Sequence, residues 1–130
     1  MRLVLLALPM LAACASMSLP QGELTGTWGG PHAGITFQGG LAQLDYDCAS
    51  GTIDQPVVPA PDGRFQAEGT YLIGHGGPVR VGQIFITRKA RFRGTVVNGA
   101  MELTTILEDG TVIGPFTLQR GAEPQLTRCL

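Results

Sequence analysis

Two turns about ten residues apart constrain this chain more than any property of its composition. Asn98-Gly99, taken as a two-residue turn, pairs Val97 with Ala100, and Asp109-Gly110 pairs Glu108 with Thr111. Each turn independently assigns the residues between them to two faces of a sheet, and the assignments agree. One face collects Ala90, Phe92, Gly94, Val96, Met101, Leu103, Thr105, Leu107, Val112, Gly114, Phe116 and Leu118. The other collects Arg91, Arg93, Thr95, Glu102, Thr104, Ile106 and Thr117. A slip of one residue would exchange the faces, so the agreement predicts three consecutive antiparallel strands with a single apolar side. Pro115 has no N–H to donate and predicts an edge or a bulge beside it.

The same pattern extends along the chain. A turn at Gly39-Gly40 puts Ile35, Phe37, Ala42, Leu44 and Tyr46 inside and Thr36, Gln43, Asp45 and Asp47 outside. Gly63 to Ile73 supplies a strand with Phe65, Ala67, Gly69, Tyr71 and Ile73 on one face. Leu24 to Gly29, Thr52 to Gln55 and Leu126 to Cys129 complete eight or nine short strands. Helices find little room, because the longest stretch free of Gly and Pro beyond the N-terminus is Gln83 to Arg93, rich in Ile, Phe, Thr and Arg. Amphipathic strands in meander order must curl to bury one face and remove their edges. The expected fold is therefore all-β, a small antiparallel up-and-down β-barrel of about eight strands, with a β-sandwich as the alternative.

Of the 130 residues, 44% are hydrophobic and 15% charged, and the formal net charge is -1. These values describe one globular domain and leave no basic surface excess for nucleic acid. The N-terminus differs from the rest. Residues 1–13 carry one charge, Arg2, followed by a run of apolar and small residues, which reads as a secretory signal peptide too short to span a bilayer. Its end, Leu11-Ala12-Ala13-Cys14, resembles the lipobox of bacterial lipoproteins. That resemblance implies lipidation of Cys14 as the first mature residue and, with Ala15 rather than Asp after it, placement at the outer membrane, facing the periplasm. An ordinary signal peptide with a chance cysteine is the other reading. Residues 14–23 read as a lipidated tether and 24–130 as the barrel domain.

Gly26-Thr27-Trp28 resembles the Gly-X-Trp start of avidin-like and lipocalin barrels, and Arg120 ends the last long strand where such barrels place a residue near that Trp. The fuller pattern of WGGPHAG, LDYDCASGTI, DGRF, HGGPVR, IGPFTLQRG and LTRCL resembles a family of small exported bacterial β-proteins of unassigned activity. It brings no catalytic residues with it. With Cys14 committed to lipid, Cys48 and Cys129 remain as a pair in a compartment that permits disulfides. Bridging them would close a loop of about 80 residues and stabilise by about 4 to 5 kcal/mol on the chain-entropy model. Two buried free thiols are the alternative.

Chemistry-bearing constellations are few. The Gly39-Gly40 register sets His32 opposite Asp47, with Asp45 on the same face and Asp54 brought near by a turn at Ser50-Gly51. Such a group could bind a divalent cation or act as an acid–base pair, or it could be an ordinary polar strand face. Gly74 to Arg80, with His75 and Arg80, could hold an anion or be a barrel-mouth loop. Lys89, Arg91 and Arg93 alternate along one strand and could meet an anionic partner or be solvated. No nucleophile elbow, phosphate loop, zinc-protease or Cys-X-X-Cys pattern occurs, and no cofactor is implied. Three classes of function survive: a non-catalytic interaction or structural lipoprotein, a barrel binding a small apolar ligand, and an enzyme using His32 or His75. The first is favoured, because roughly a hundred residues leave little space for a large cavity.

Overall fold

A computed structural model describes residues 22–74, 81–82, 84–127 and 129, and among them the chain is all-β. The strands are β1 (Gly26–Gly30), β2 (Ala33–Gln38), β3 (Leu41–Tyr46), β4 (Ala49–Ile53), β5 (Arg64–Ile73), β6 (Ile86–Val97), β7 (Ala100–Leu107) and β8 (Val112–Arg120). Each pairs antiparallel with the next, and β8 returns to β1, closing an eight-stranded up-and-down barrel. Because the chain meanders, its connections sort into two ends. The β2–β3, β4–β5 and β6–β7 connections share the end where the chain enters, called here the N-terminal end. The β1–β2, β3–β4, β5–β6 and β7–β8 connections form the far end.

The glycine turns act as expected where both of their residues can take left-handed backbone. Asn98 (φ 51°) and Gly99 (φ 78°) place Val97 opposite Ala100, and Gly39 (φ 62°) and Gly40 (φ 79°) place Gln38 opposite Leu41. The Asp109-Gly110 register holds only in part. Pairing runs as expected from Ala100↔Gln119 to Leu103↔Phe116, then slips by one residue to Thr105↔Ile113. The slip accompanies Gly114 (φ 109°) and Pro115, so Pro115 does mark a bulge. Its consequence corrects the expected faces: Val112 and Gly114 lie exposed, while Ile113 turns in and packs against the core.

The β3–β4 turn also differs from expectation. It is Asp47-Cys48, with Cys48 at φ 57° and Tyr46 opposite Ala49, and not Ser50-Gly51. Gly51 belongs to β4, where a Cβ would stand 3.3 Å from the Phe92 ring. Its lack of a side chain serves core packing rather than a turn. The strand expected at Leu126 to Cys129 is not seen among its described residues, Leu126, Thr127 and Cys129. The segment after β8 turns back along the outside of β1, making a parallel bridge between Pro31 and Gln125.

The interior is filled by side chains. Trp28, Ile35, Leu44, Ile53, Phe92, Met101, Leu103 and Leu118 are fully buried. Near the far end Tyr46 packs against Tyr71 and Phe116, with ring centroids 5.4 and 5.8 Å apart. Thr105 is the fully buried polar residue among them, and its Oγ1 lies 2.6 Å from the Tyr46 hydroxyl. Burial pushes that phenol's pKa upward, so it stays a neutral donor and acceptor. The N-terminal end is plugged by Leu24, Val57 and Pro59, with the Leu24 N–H donating to the Val57 carbonyl at 2.8 Å.

The buried hydroxyl pair gives a direct test of this packing. Thr105→Val leaves the Tyr46 hydroxyl without its buried partner and is expected to destabilise by about 1 to 3 kcal/mol. Adding Tyr46→Phe to Thr105→Val is expected to recover part of that loss in urea unfolding, whereas strictly additive losses would contradict the pairing.

Candidate functional site

The predicted register brings one pair of candidate residues together. His32 sits in the β1–β2 turn with φ 68°, and Asp47 opens the β3–β4 turn. His32 Nδ1 lies 2.5 Å from Asp47 Oδ2. The other carboxylate oxygen, Oδ1, accepts the Thr127 backbone N–H at 2.6 Å. The Asp47 carboxyl is held below its usual range, chiefly by the Thr127 N–H, which outweighs the opposing effect of desolvation, with the His32 hydrogen bond and charge adding to the lowering. The imidazole is largely exposed and the carboxylate about one-third exposed, so the pair stands at the surface.

The other two carboxylates do not join them as a ligand set. Asp45 lies on the outer face of β3 between Gly34 and Ser50. The sequence pattern places Asp54 near His32 through a turn at Ser50-Gly51. With the turn at Asp47-Cys48, β4 instead carries the chain away, and Asp54 emerges at the N-terminal end beside Thr36, Gln38 and Leu41. Among the described residues no group of three or more His, Cys, Asp and Glu side chains is arranged to hold a metal ion. His75 and Arg80 lie outside the described residues, as does Cys14.

The pair's neighbours show what it does. Cys48 and Cys129 are joined by a disulfide with Cα atoms 4.9 Å apart, so the residue after Asp47 is tied covalently to the C-terminal segment. That segment runs from Gly121 to Cys129 along β1 and on to the far end. Gly121 N–H donates to Thr27 O (2.7 Å), Gln125 N–H to Gly30 O (3.0 Å) and His32 N–H to Gln125 O (2.8 Å). Gly29 and Gly34 lie directly beneath it. A Cβ on Gly29 would strike the backbone of Ala122 to Pro124, and one on Gly34 would stand 2.6 Å from the Pro124 ring. The WGGPHAG stretch thus forms the seat of a C-terminal strap, and Asp47 fastens the strap by capping Thr127.

The remaining candidates fall into place around the barrel wall. Arg120 lies opposite Trp28 in the β1–β8 pairing, with its guanidinium carbon 4.8 Å from the Trp28 ring centroid. Trp28 is fully buried, and its indole N–H donates to the Thr25 carbonyl at 3.2 Å. It is therefore a core residue at the closing seam. Lys89, Arg91 and Arg93 are exposed on β6, and Arg91 stands 3.7 Å from Glu68 on β5. Beside them, Arg64, Gln66, Arg93, Thr95, Glu102 and Thr104 border a shallow depression on the outer wall.

Sequence reasoning missed the strap. The available signal was the terminal LTRCL, whose cysteine has to reach the β3–β4 turn if it is to meet Cys48. Comparison with family models, curated proteins and solved structures gives no significant match.

The strap's carboxylate has a signed pH dependence. Its depressed pKa contributes stability above the unfolded carboxylate range near about pH 4, and that contribution is lost as pH falls through the folded value. Asp47→Asn is therefore expected to lower the unfolding midpoint at neutral pH, with the difference from the native chain shrinking in acid. A difference independent of pH would contradict this role.

Proposed function

We propose that this chain is a lipid-anchored protein of the cell envelope whose barrel domain is a non-catalytic interaction or structural module. The filled interior carries the proposal. Trp28, Phe92, Leu44, Met101 and Leu103 occupy the space in which a lipocalin-like barrel would hold a ligand. The Tyr46 ring packs against both Tyr71 and Phe116 where a binding mouth would open. The His32–Asp47 pair is engaged in holding the C-terminal strap, and the nearest cysteine is oxidised. Recognition is thereby left to the outer surface.

One part of that surface is built differently from the rest. β6 runs beyond β7: Ile86 to Lys89 pair with β5, but pairing with β7 begins only at Ala90↔Leu107. This projecting hairpin exposes Val81, Ile84 and Ile86. Exposed branched residues beside a strand edge, Ile86 to Arg88, that pairs with no second strand among the described residues suit contact with another protein, as does the position of the hairpin at the end opposite the lipid tether.

A photo-crosslinking residue at Ile84 tests the reading in cells that export and acylate the chain. The expected result is one or a few discrete protein adducts, absent when the same residue stands at outward-facing Thr117. An absence of protein adducts at both Ile84 and Ile86 would overturn the proposal that this end engages a partner.

A further inference from the structure

The N-terminal end carries its own set of exposed apolar residues, one on each of its three connections. Leu41 follows the Gly39-Gly40 turn and is 54% exposed, Val58 in the β4–β5 connection is 55% exposed, and Val97 before Asn98-Gly99 is 56% exposed. Pro56, Ala60 and Pro61, also exposed, extend the β4–β5 part of this surface. The three connections surround the point where the chain enters the barrel. Leu24 hydrogen-bonds Val57, a Cβ on Gly40 would stand 3.7 Å from the Pro56 ring, and Val96 N–H donates to Gly63 O at 2.9 Å. The core does not need these side chains: Leu24, Val57 and Pro59 already close this end beneath them. A single exposed Leu or Val is ordinary on a protein surface. Their placement on every connection around the chain entry calls for a common neighbour.

We infer that this end of the barrel rests on the lipid bilayer, with Leu41, Val58 and Val97 entering the interfacial region and the barrel standing end-on. The inference rests on the anchored reading above and adds an orientation to it. Gly22 lies eight residues beyond Cys14. A chain of that length reaches about 28 Å when fully extended and spans about 16 Å on average when flexible. The barrel itself is taller than that average. The ten residues of β5 rise about 33 Å along the strand, or about 25 Å along a barrel axis to which strands tilt by about 40°. The average span thus favours the N-terminal end near the lipid, whereas bringing the β5–β6 end there would require a tether close to full extension. Contact through three side chains would be weak for a free protein, but anchoring makes it intramolecular and raises the effective concentration of lipid at this surface.

Charge identifies which property of the bilayer matters. Glu23, Asp54 and Asp62 at this end oppose Arg64 and Arg120, so no net positive charge exists to draw anionic headgroups. Apolar contact holds the seat, which is therefore indifferent to the anionic lipid fraction.

The test uses the full acylated chain, with the lipid on Cys14 verified by mass, in vesicles of phosphatidylethanolamine containing varied amounts of phosphatidylglycerol. An environment-sensitive fluorophore is attached through Ala60→Cys at the N-terminal end or through Val112→Cys at the far end. The label at 60 is expected to shift to the blue and to be quenched by brominated lipid at every phosphatidylglycerol fraction, while the label at 112 keeps its aqueous emission. Combining Leu41→Asp, Val58→Asp and Val97→Asp is expected to return the label at 60 to aqueous emission in protein that stays acylated and retains its circular dichroism. Aqueous emission at both positions in native acylated protein, or quenching at 112 instead of 60, overturns the end-on seat while leaving the anchor intact. Quenching at 60 that survives the three Asp substitutions also overturns it. An unacylated Cys14 overturns the anchored reading and the seat together.

Discussion

Closure of the barrel depends on its shortest seam. β1 has five residues, and its ladder with β8 consists of Trp28↔Arg120 and Gly29↔Gln119. By contrast, β5 and β6 pair over ten consecutive positions. A seam of two residue pairs would leave β1 and β8 as near-free edges, so the fold reinforces it from both sides. Inside, the buried Trp28 ring lies under the Arg120 guanidinium. Outside, the C-terminal strap adds hydrogen bonds to Thr27, Gly30 and His32, and the Cys48–Cys129 disulfide holds the strap's far end. Without the strap, β1 would keep β2 and little else on its other side.

This arrangement accounts for features that otherwise suggest chemistry. A histidine beside an aspartate, a glycine-rich stretch and a pair of cysteines could together belong to an enzyme. Here the glycines admit the strap, the aspartate caps it and the disulfide anchors it, so all three serve one structural task. The two ends of the molecule also differ in what they carry. The far end carries the strap clasp and the projecting β5–β6 hairpin, and the N-terminal end carries the chain entry and the apolar connections around it.

The parts of this fold that were legible in the sequence are those set by local backbone chemistry and two-residue periodicity. Asn98-Gly99 and Gly39-Gly40 place residues in left-handed backbone, so their registers could be read directly, and with them the inner faces of β2, β3, β6 and most of β7. The encounter of His32 with Asp47 followed from one of those registers. The failures share a different cause. Gly51 looks like a turn glycine but is small because Phe92 packs against it from a distant strand. The slip at Gly114-Pro115 can be located from the sequence but its direction cannot, so the expected inner face takes Val112 and Gly114 where the structure turns Ile113 in. The terminal Leu126 to Cys129 has the composition of a strand, yet its partners are the Asp47 carboxylate and the Cys48 sulfur, two contacts that no local pattern encodes.

Native-state amide hydrogen exchange, followed first with the disulfide intact and then after its reduction, tests the role of the strap most directly. Reduction is expected to accelerate exchange sharply at Gly121, Gln125, Thr127 and His32, while Phe92 and Leu103 in the β5–β7 wall stay protected. Unchanged protection along the strap, or loss of protection in the β5–β7 wall before the strap, would contradict the dependence of the β1–β8 seam on it.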